Sequence, residues 1–346
     1  MEKISPLVSV VIPVYNVSEY LPGCIRCLKK QTLKRFEVLF VDDGSADDSY
    51  EIITRAARED SRFKALVQDH RNAGAARNAG IERAAGEYLC FLDADDLYAP
   101  DLLQSAVSNL RTANADVVVY DYAEISENGA VSFRCGYRRD WLKNRETGIR
   151  GAEEPEKAML IGGASVWNKM YRTRLIRENG LRFDEIQAYN DVSFVLTACA
   201  KAGTISFLEE SLYMYRCSRA ASISSGRGDR YDLAAQALES FERQTAASGL
   251  DKKAAAAVAA HYRIKTLLYD IGDYTAPKAE AYYRDLQVVL RQREIDRTRV
   301  AAFYPELIRM IGIFEKLDYR VILAAFRIGA IGLLRKKMHR QRERGK

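Results

Sequence analysis

"EYLCFLDADD", Glu87–Asp96, decides the fold. Its five apolar residues, Tyr88 to Leu92, form the short continuous run that fills a central strand of a parallel sheet. Asp93, Asp95 and Asp96 then crowd three carboxylates onto the carboxyl end of that run. Like charges that close repel one another, so the turn is either open to water or holds a cation.

Working outward, strands and helices alternate. "LVSVVIPVY" reads as a strand and Glu19–Gln31 as a helix; "FEVLFVD" and "FKALVQ" are further strands separated by a helix near Asp48–Glu59. "AGAARNAGIERAAG" is an Ala-rich helix with Gly86 placed to end it, and Pro100–Ala113 is a helix behind the opening strand. This order predicts an α/β domain with a mostly parallel sheet and right-handed crossovers. Ligands of such sheets bind at the carboxyl ends of strands, where "PVYN" (Pro13–Asn16), "DD" (Asp42–Asp43) and "DADD" all fall. "ADVVVYDY" adds a strand. Residues 124–155 read as irregular, as a hairpin or loop. "ASVWNKMYRTRLI" restarts order, "NDVSFVLTACAKAG" is a helix, and "ISFLEESLYMYR" supplies one or two strands. Beyond Gly228 the pattern is helical, with a boundary near 225.

The net charge of +6 invites a nucleic-acid reading, but Arg335–Lys346 holds seven Lys or Arg and one Glu, which accounts for all of it. The body of the chain is balanced, and nucleic acid is not an expected partner. Six scattered cysteines include one C-x-x-C, Cys24 and Cys27, with no second pair to complete a zinc site. The Cys24 and Cys27 pair reads as small buried residues of a helix. Reduced thiols and no signal-peptide pattern point to the cytoplasm.

Chemically, oxygen-only ligands with room for water suit Mg²⁺ or Mn²⁺, ions that share their shell with phosphate. Such an ion would neutralise a diphosphate leaving group; the bland reading is a turn in which Asp96 caps the next helix. Tyr15 can stack on a flat base or simply pack. Asp43 can accept the imide N–H of uracil or cap a helix. Arg77 can reach phosphate, tie loops together, or stay a solvated charge.

The ordered series "VSVVIPVYN", "QTLKRFEVLFVDDGSADDS", "NAGAARNAGIERAAGEYLCFLDADD", "VWNKMYR", "NDVSF" and "LYMYRCSRAASIS" resembles the inverting family-2 glycosyltransferases of the GT-A fold, of the capsule, exopolysaccharide and cell-wall polymer type. The resemblance covers residues 7–225, about two-thirds of the chain. It implies a GT-A domain over 1–225, with a nucleotide-sugar half (1–115) and an acceptor half (116–225), followed by a helical region over 226–346. "DAD" is similar to the family's D-x-D motif, which implies Asp93 and Asp95 as ligands of Mn²⁺ or Mg²⁺. By the same resemblance Pro13 and Tyr15 border the uracil of a UDP-sugar and Asp43 bonds it. Asn72, Arg77 and Asp93 line the nucleotide side, and Arg216 with Ser222 closes over the diphosphate. Trp167 and Lys169 lie toward the acceptor, a glycan or lipid-linked hydroxyl. The family's catalytic base lies in an acidic pair, commonly Glu-Asp. Here it reads Asn190-Asp191, so Asp191 is the expected base and its neighbour carries no charge. That departure motivates a rival reading, a non-catalytic sugar-nucleotide-binding or scaffold protein. A nucleotidyltransferase would instead open with a glycine-rich basic loop.

"VILAAFRIGAIGLL", Val321–Leu334, is a helix of about 21 Å, short of the roughly 30 Å needed to span a bilayer. Ahead of the basic tail it reads as an in-plane anchor on an anionic inner leaflet, or else as a last helix docked on its own domain. Oligomerisation through the C-terminal helices is the other expectation for this region.

Overall fold

A computed structural model describes residues 5–126, 128–142, 148–217, 231–270, 276–292 and 295–316. The apolar runs become strands β1 (Val8–Val14), β2 (Phe36–Asp42), β3 (Phe63–Val67) and β4 (Tyr88–Phe91). They are joined through helices α1 (Leu21–Lys29), α2 (Ser49–Glu59) and α3 (Ala73–Arg83). These four strands are parallel, in the order β3-β2-β1-β4. β2 and β4 are buried along their whole length, which is why neither shows polar alternation. Each buried valine, leucine or phenylalanine in them contributes about 1.5–3 kcal/mol.

The sheet continues past β4 with β8 (Lys169–Arg172), which runs antiparallel to both β4 and β6 (Val117–Ile125). β9 (Ile205–Arg216) lies parallel to β6, with a register shift near Asp121, and a two-residue strand β5 (Leu97–Tyr98) pairs with its far end. β9 is thus one long bulged strand. Part of the segment expected to be irregular forms a hairpin strand, β7 (Val131–Arg134), on β6. α4 (Leu102–Thr112), α5 (Pro155–Ile161), α6 (Thr173–Glu178) and α7 (Val192–Lys201) complete this part. Gly86 does not end α3, which stops at Arg83. A Cβ on Gly86 would lie 2.5 Å from the Ser9 nitrogen, so its glycine permits close approach to β1 instead.

The helical region comprises α8 (Tyr231–Ala247), α9 (Lys252–Asp270), α10 (Ala276–Gln292), α11 (Arg297–Phe303) and α12 (Pro305–Lys316). It shares one apolar core with the sheet: Phe91, Val119 and Phe194 belong to the same buried cluster as Phe241, Val258, Leu307 and Phe314. The expected boundary near 225, Val321–Leu334 and the basic tail lie outside the described residues. Among the described residues no helix is long and apolar enough to cross a membrane. The six cysteines form no disulfide.

A charged clamp joins the two parts. Glu156 of α5 is 1% exposed and meets Arg299 of α11 at 2.6 Å; Arg299 also holds Asp251 at 2.9 Å. Burial pushes the Glu156 carboxyl above the usual range, although Arg299 opposes the shift. Removing the arginine strands a buried carboxylate, an effect reduced by the partial exposure of Arg299. Arg299→Leu is therefore expected to destabilise the protein by about 2 kcal/mol at pH 8. Because the raised pKa favours the protonated form in the folded state, the loss should shrink as pH falls to 5. Urea unfolding at the two pH values measures the difference.

Candidate active site

The carboxyl ends of β1, β2 and β4 carry the three polar turns to one edge of the sheet, as the alternation requires. In the first, Asn16 adopts a left-handed φ of 48°. It locks the 14–18 turn to the next loop: its N–H donates to Ser45 Oγ at 3.1 Å, and its Oδ1 accepts from the Ala46 N–H at 2.8 Å. Asp47 accepts N–H bonds from Ser18 and Ser49, both at 3.0 Å. Desolvation opposes its ionisation, but these bonds and the Ser49 hydroxyl outweigh it and hold its carboxyl down to about 2.

Pro13 is half-buried in β1, and Tyr15 is exposed with its ring stacked on His70 at 4.2 Å. Asp43 is buried beneath them. Its Oδ1 accepts from Gln68 Nε2 at 2.7 Å and the Arg71 N–H at 3.0 Å, and His70 Nδ1 lies 3.0 Å from Oδ2. An ionised carboxylate has about four acceptor sites, so one further donor can still be met. Gly44 follows with φ 73°, packed on His70. Asn72 caps α3, its Oδ1 accepting from the Ala75 N–H at 3.0 Å; at least this oxygen does structural work.

Arg77 is neither solvated nor aimed outward. It is 7% exposed; one Nη donates to Asp93 Oδ1 and the other to Asn190 Oδ1, each at 2.8 Å, and its guanidinium lies 5.4 Å from the Phe183 ring centroid. A buried arginine needs such partners, because an unpaired charge there costs several kcal/mol. Asn190 donates its own Nδ2–H to the Ile186 carbonyl at 3.3 Å. The uncharged residue is thus a fitted ligand of Arg77.

The three carboxylates of the "DADD" turn separate by environment. Asp93 and Asp95 are half-buried at the edge. Asp96 is 2% exposed; it accepts the Tyr213 hydroxyl at 2.5 Å and the Arg216 N–H at 2.7 Å. Burial, with Asp95 and Asp93 beside it, raises its carboxyl well above the usual range. It does not cap α4, whose N-cap is Asp101; it fastens the end of β9 to the turn. Arg216 Nε adds a bond to the Asp95 carbonyl at 2.9 Å. The side chains of Asp93 and Asp95 present hard oxygen ligands at a partly open turn, a donor set suited to a divalent ion that keeps waters and phosphate oxygens. Among the described residues, no group of three or more metal-ligating side chains is assembled in advance.

Asp191 occupies the N-cap position of α7, yet its side chain makes no cap bond. Burial raises its carboxyl to about 6, with Arg77 opposing the shift. Trp167 stacks on Tyr213 at 4.5 Å and on Tyr215 at 5.5 Å, with Tyr122 edge-on at 4.9 Å. Lys169, expected toward the acceptor, has its ammonium committed within the protein. It is 0% exposed, with Nζ donating to the carbonyls of Gly162 and Ser165 at 3.0 and 2.7 Å and to Asn168 Oδ1 at 2.8 Å. It braces the turn that carries Trp167 from beneath. Ser222 lies outside the described residues.

The family model for glycosyl transferase family 2 matches residues 9–179, and the glycosyltransferase GlyG of Streptococcus pneumoniae is 30% identical over 222 residues, 61% of this chain and 71% of GlyG. The chain belongs to glycosyltransferase family 2. An uncharacterized glycosyltransferase of Bacillus subtilis, EpsJ, is 32% identical over 219 residues, 61% of each chain. The chain spans about three-fifths of the length of the Bacillus subtilis relatives it matches. Among solved structures, S. aureus TarS 1–349 in complex with UDP-GlcNAc superposes with a TM-score of 0.72 at 19% identity, covering 93% of this chain and 92% of that one. The Pyrobaculum calidifontis mannosyltransferase PcManGT, in complex with GDP-Man and Mn²⁺, superposes at 0.53 and 17% identity, covering 93% and 87%. The family-2 chain thus has the GT-A fold expected of it, a mixed sheet flanked by helices with a helical C-terminal region.

Replacing Asn190 by a second carboxylate tests how charge is apportioned here. In Asn190→Asp a like charge stands next to Asp191, which disfavours ionisation. The Asp191 carboxyl midpoint, read by ¹³C NMR titration, is expected to move up by about half a unit to one unit. An unmoved or lowered midpoint would mean that Arg77 absorbs the added charge.

Proposed function

We propose that this family-2 protein transfers a sugar, with inversion, from a nucleotide-sugar to an acceptor hydroxyl, and that Asp191 is the base. One observation carries the reading: a carboxylate raised to about 6, at a helix N-terminus it does not cap, beside an arginine that also holds Asp93. A base needs a pKa near its working pH and lone pairs not already committed. Asp191 is mostly ionised at pH 7 yet takes a proton more readily than an ordinary aspartate.

In this reading Pro13, Tyr15 and Asp43 receive the base of the nucleotide, with UDP favoured by the Asp43 acceptor. Asn72 and Arg77 support that side, Arg77 by fixing Asp93. Arg216 faces the diphosphate, with Ser222 from the following segment. Asp93 and Asp95 would hold Mn²⁺ or Mg²⁺, which when bound supplies charge neutralisation to the leaving diphosphate. Asp191 accepts the proton of the acceptor hydroxyl while that oxygen bonds to the anomeric carbon and the bond from that carbon to the diphosphate oxygen breaks. The nucleoside diphosphate departs, and Asp191 later returns its proton to water. A single displacement inverts the centre, and the protein's part is chiefly positioning and electrostatics. UDP-GlcNAc in TarS and GDP-Man with Mn²⁺ in PcManGT are consistent with this class of donor. The Trp167 face is the acceptor side, where a glycan or lipid-linked hydroxyl would enter. A cytoplasmic site on the inner membrane face and assembly through the C-terminal helices complete the reading.

The test is release of nucleoside diphosphate from a panel of sugar nucleotides, with Mn²⁺ or EDTA and a membrane extract as acceptor. Release should require the metal and rise with the extract. Asp191→Asn should lower kcat by about 10²–10⁴-fold. In the wild type kcat/KM should decline as pH drops below about 6, where Asp191 takes up its proton. Metal-dependent donor binding with no turnover in any mixture would favour the non-catalytic rival raised by Asn190.

A further inference from the structure

The segment between α6 and α7, which ends in Asp191, has no regular structure of its own and is nevertheless tied on both sides. Toward α3, Asn78 Nδ2 donates to the Phe183 carbonyl at 3.0 Å, while the Phe183 N–H returns a bond to Asn78 Oδ1 at 2.9 Å. Arg77 holds Asn190 at 2.8 Å. Gly74 lies so close that a Cβ there would stand 2.1 Å from the Asp184 carbonyl oxygen. Just before the base, Tyr189 sits at φ 60°, a left-handed conformation that a bulky residue adopts only when its surroundings impose it.

The far side of this segment is held by the C-terminal region. The Asp184 N–H donates to the Asn190 carbonyl at 3.2 Å, which closes the 184–190 loop on itself. The Asp184 carboxylate then reaches two helices. Ser193 Oγ of α7 donates to Oδ2 at 2.7 Å, and Ser240 Oγ of α8 donates to Oδ1 at 2.5 Å. Gln244, one turn further along α8, donates to Ser193 Oγ at 3.3 Å and Ser240 Oγ at 3.4 Å. An ionised acceptor makes the two hydroxyl bonds stronger than neutral ones.

We propose that Ser240 and Gln244 of α8 are positioning residues for the Asp191 base, acting through Asp184 and Ser193 on the strained Tyr189–Asp191 turn. The claim rests on the reading of Asp191 as base. It makes the helical region a working part of the active site: α8 supplies one wall of the loop, α3 the other, and Asp191 stays in place because both walls hold. A misplacement of about 1 Å in a reacting group can lower a rate by about 10²-fold, so losing one of several ties should cost less.

The experiment compares Ser240→Ala, Ser240→Thr and, as control, Glu239→Gln, an exposed neighbour on the same helix. Ser240→Ala is expected to lower kcat about tenfold. Donor KM should stay within about twofold of the control, thermal midpoint should match it, and Ser240→Thr should restore most of the rate because the hydroxyl returns. A kcat equal to the control overturns the proposal. So does a loss that tracks KM and thermal midpoint together and is not restored by threonine. Should the wild type transfer no sugar from any donor, the base reading itself fails. Amide hydrogen exchange over residues 184–191 then decides the tether: faster exchange in Ser240→Ala than in the control upholds it, and equal exchange overturns it.

Discussion

The arrangement of this site depends on one buried guanidinium. Arg77 stands on an Ala-rich helix whose small side chains let it pack against β1, and it emerges between the turn after β4 and the segment before α7. Those two stretches are about a hundred residues apart in the chain. Without a fixed cation between them, the charge of Asp93 would add to the burial that already disfavours ionisation of Asp191. With Arg77 present, burial and attraction compete at Asp191, and burial wins by a modest margin. Asn190 belongs to this balance. A neutral ligand leaves the guanidinium's charge to the two aspartates.

The rest of the fold holds that guanidinium and its partners in register. β1, β2 and β4 are dry strands whose carboxyl ends carry the turns, and β8 inserts antiparallel beside β4 to carry the braced Trp167 turn. β9 returns to fasten the acidic turn through Asp96, Tyr213 and Arg216. The C-terminal helices complete the same apolar core. Among the described residues, their polar contacts with the sheet-bearing part include Arg299 on Glu156, Ser240 on Asp184, Gln244 on Ser193 and Lys201 on the Ser248 carbonyl.

Local patterns made much of this legible in the sequence. The apolar runs before "PVYN", "VDDGS" and "DADD" place three polar turns at strand ends, because a dry strand and its turn are both encoded within ten residues. Asp93 could be singled out for the same reason, lying in a short polar stretch beside an apolar strand, whereas Asp191 was reached only through the resemblance to the family's acidic pair. What escaped the sequence was pairing across distance. Nothing near Arg77 says that it is buried, since its partners are Asp93 and Asn190. Lys169, placed toward the acceptor by the resemblance, gives no local sign that its ammonium is held by Gly162, Ser165 and Asn168. Asp96 reads like its neighbours, but Tyr213 and the end of β9 take it out of solvent. Asp184 and Ser240 carry no motif, and Ser193, although inside "NDVSF", gives no sign of its partner across the fold. The antiparallel strand β8 was hidden because four residues are too few to show a period.

The account stands on the protonation behaviour of Asp191. Carboxyl ¹³C NMR titration of the whole protein, with Asp191→Asn assigning the resonance, measures it without any substrate. The account predicts a midpoint near 6. A midpoint in the ordinary aspartate range, near those of the exposed carboxylates, would contradict it, because the residue would then be a solvated helix-end charge with no special readiness to take a proton.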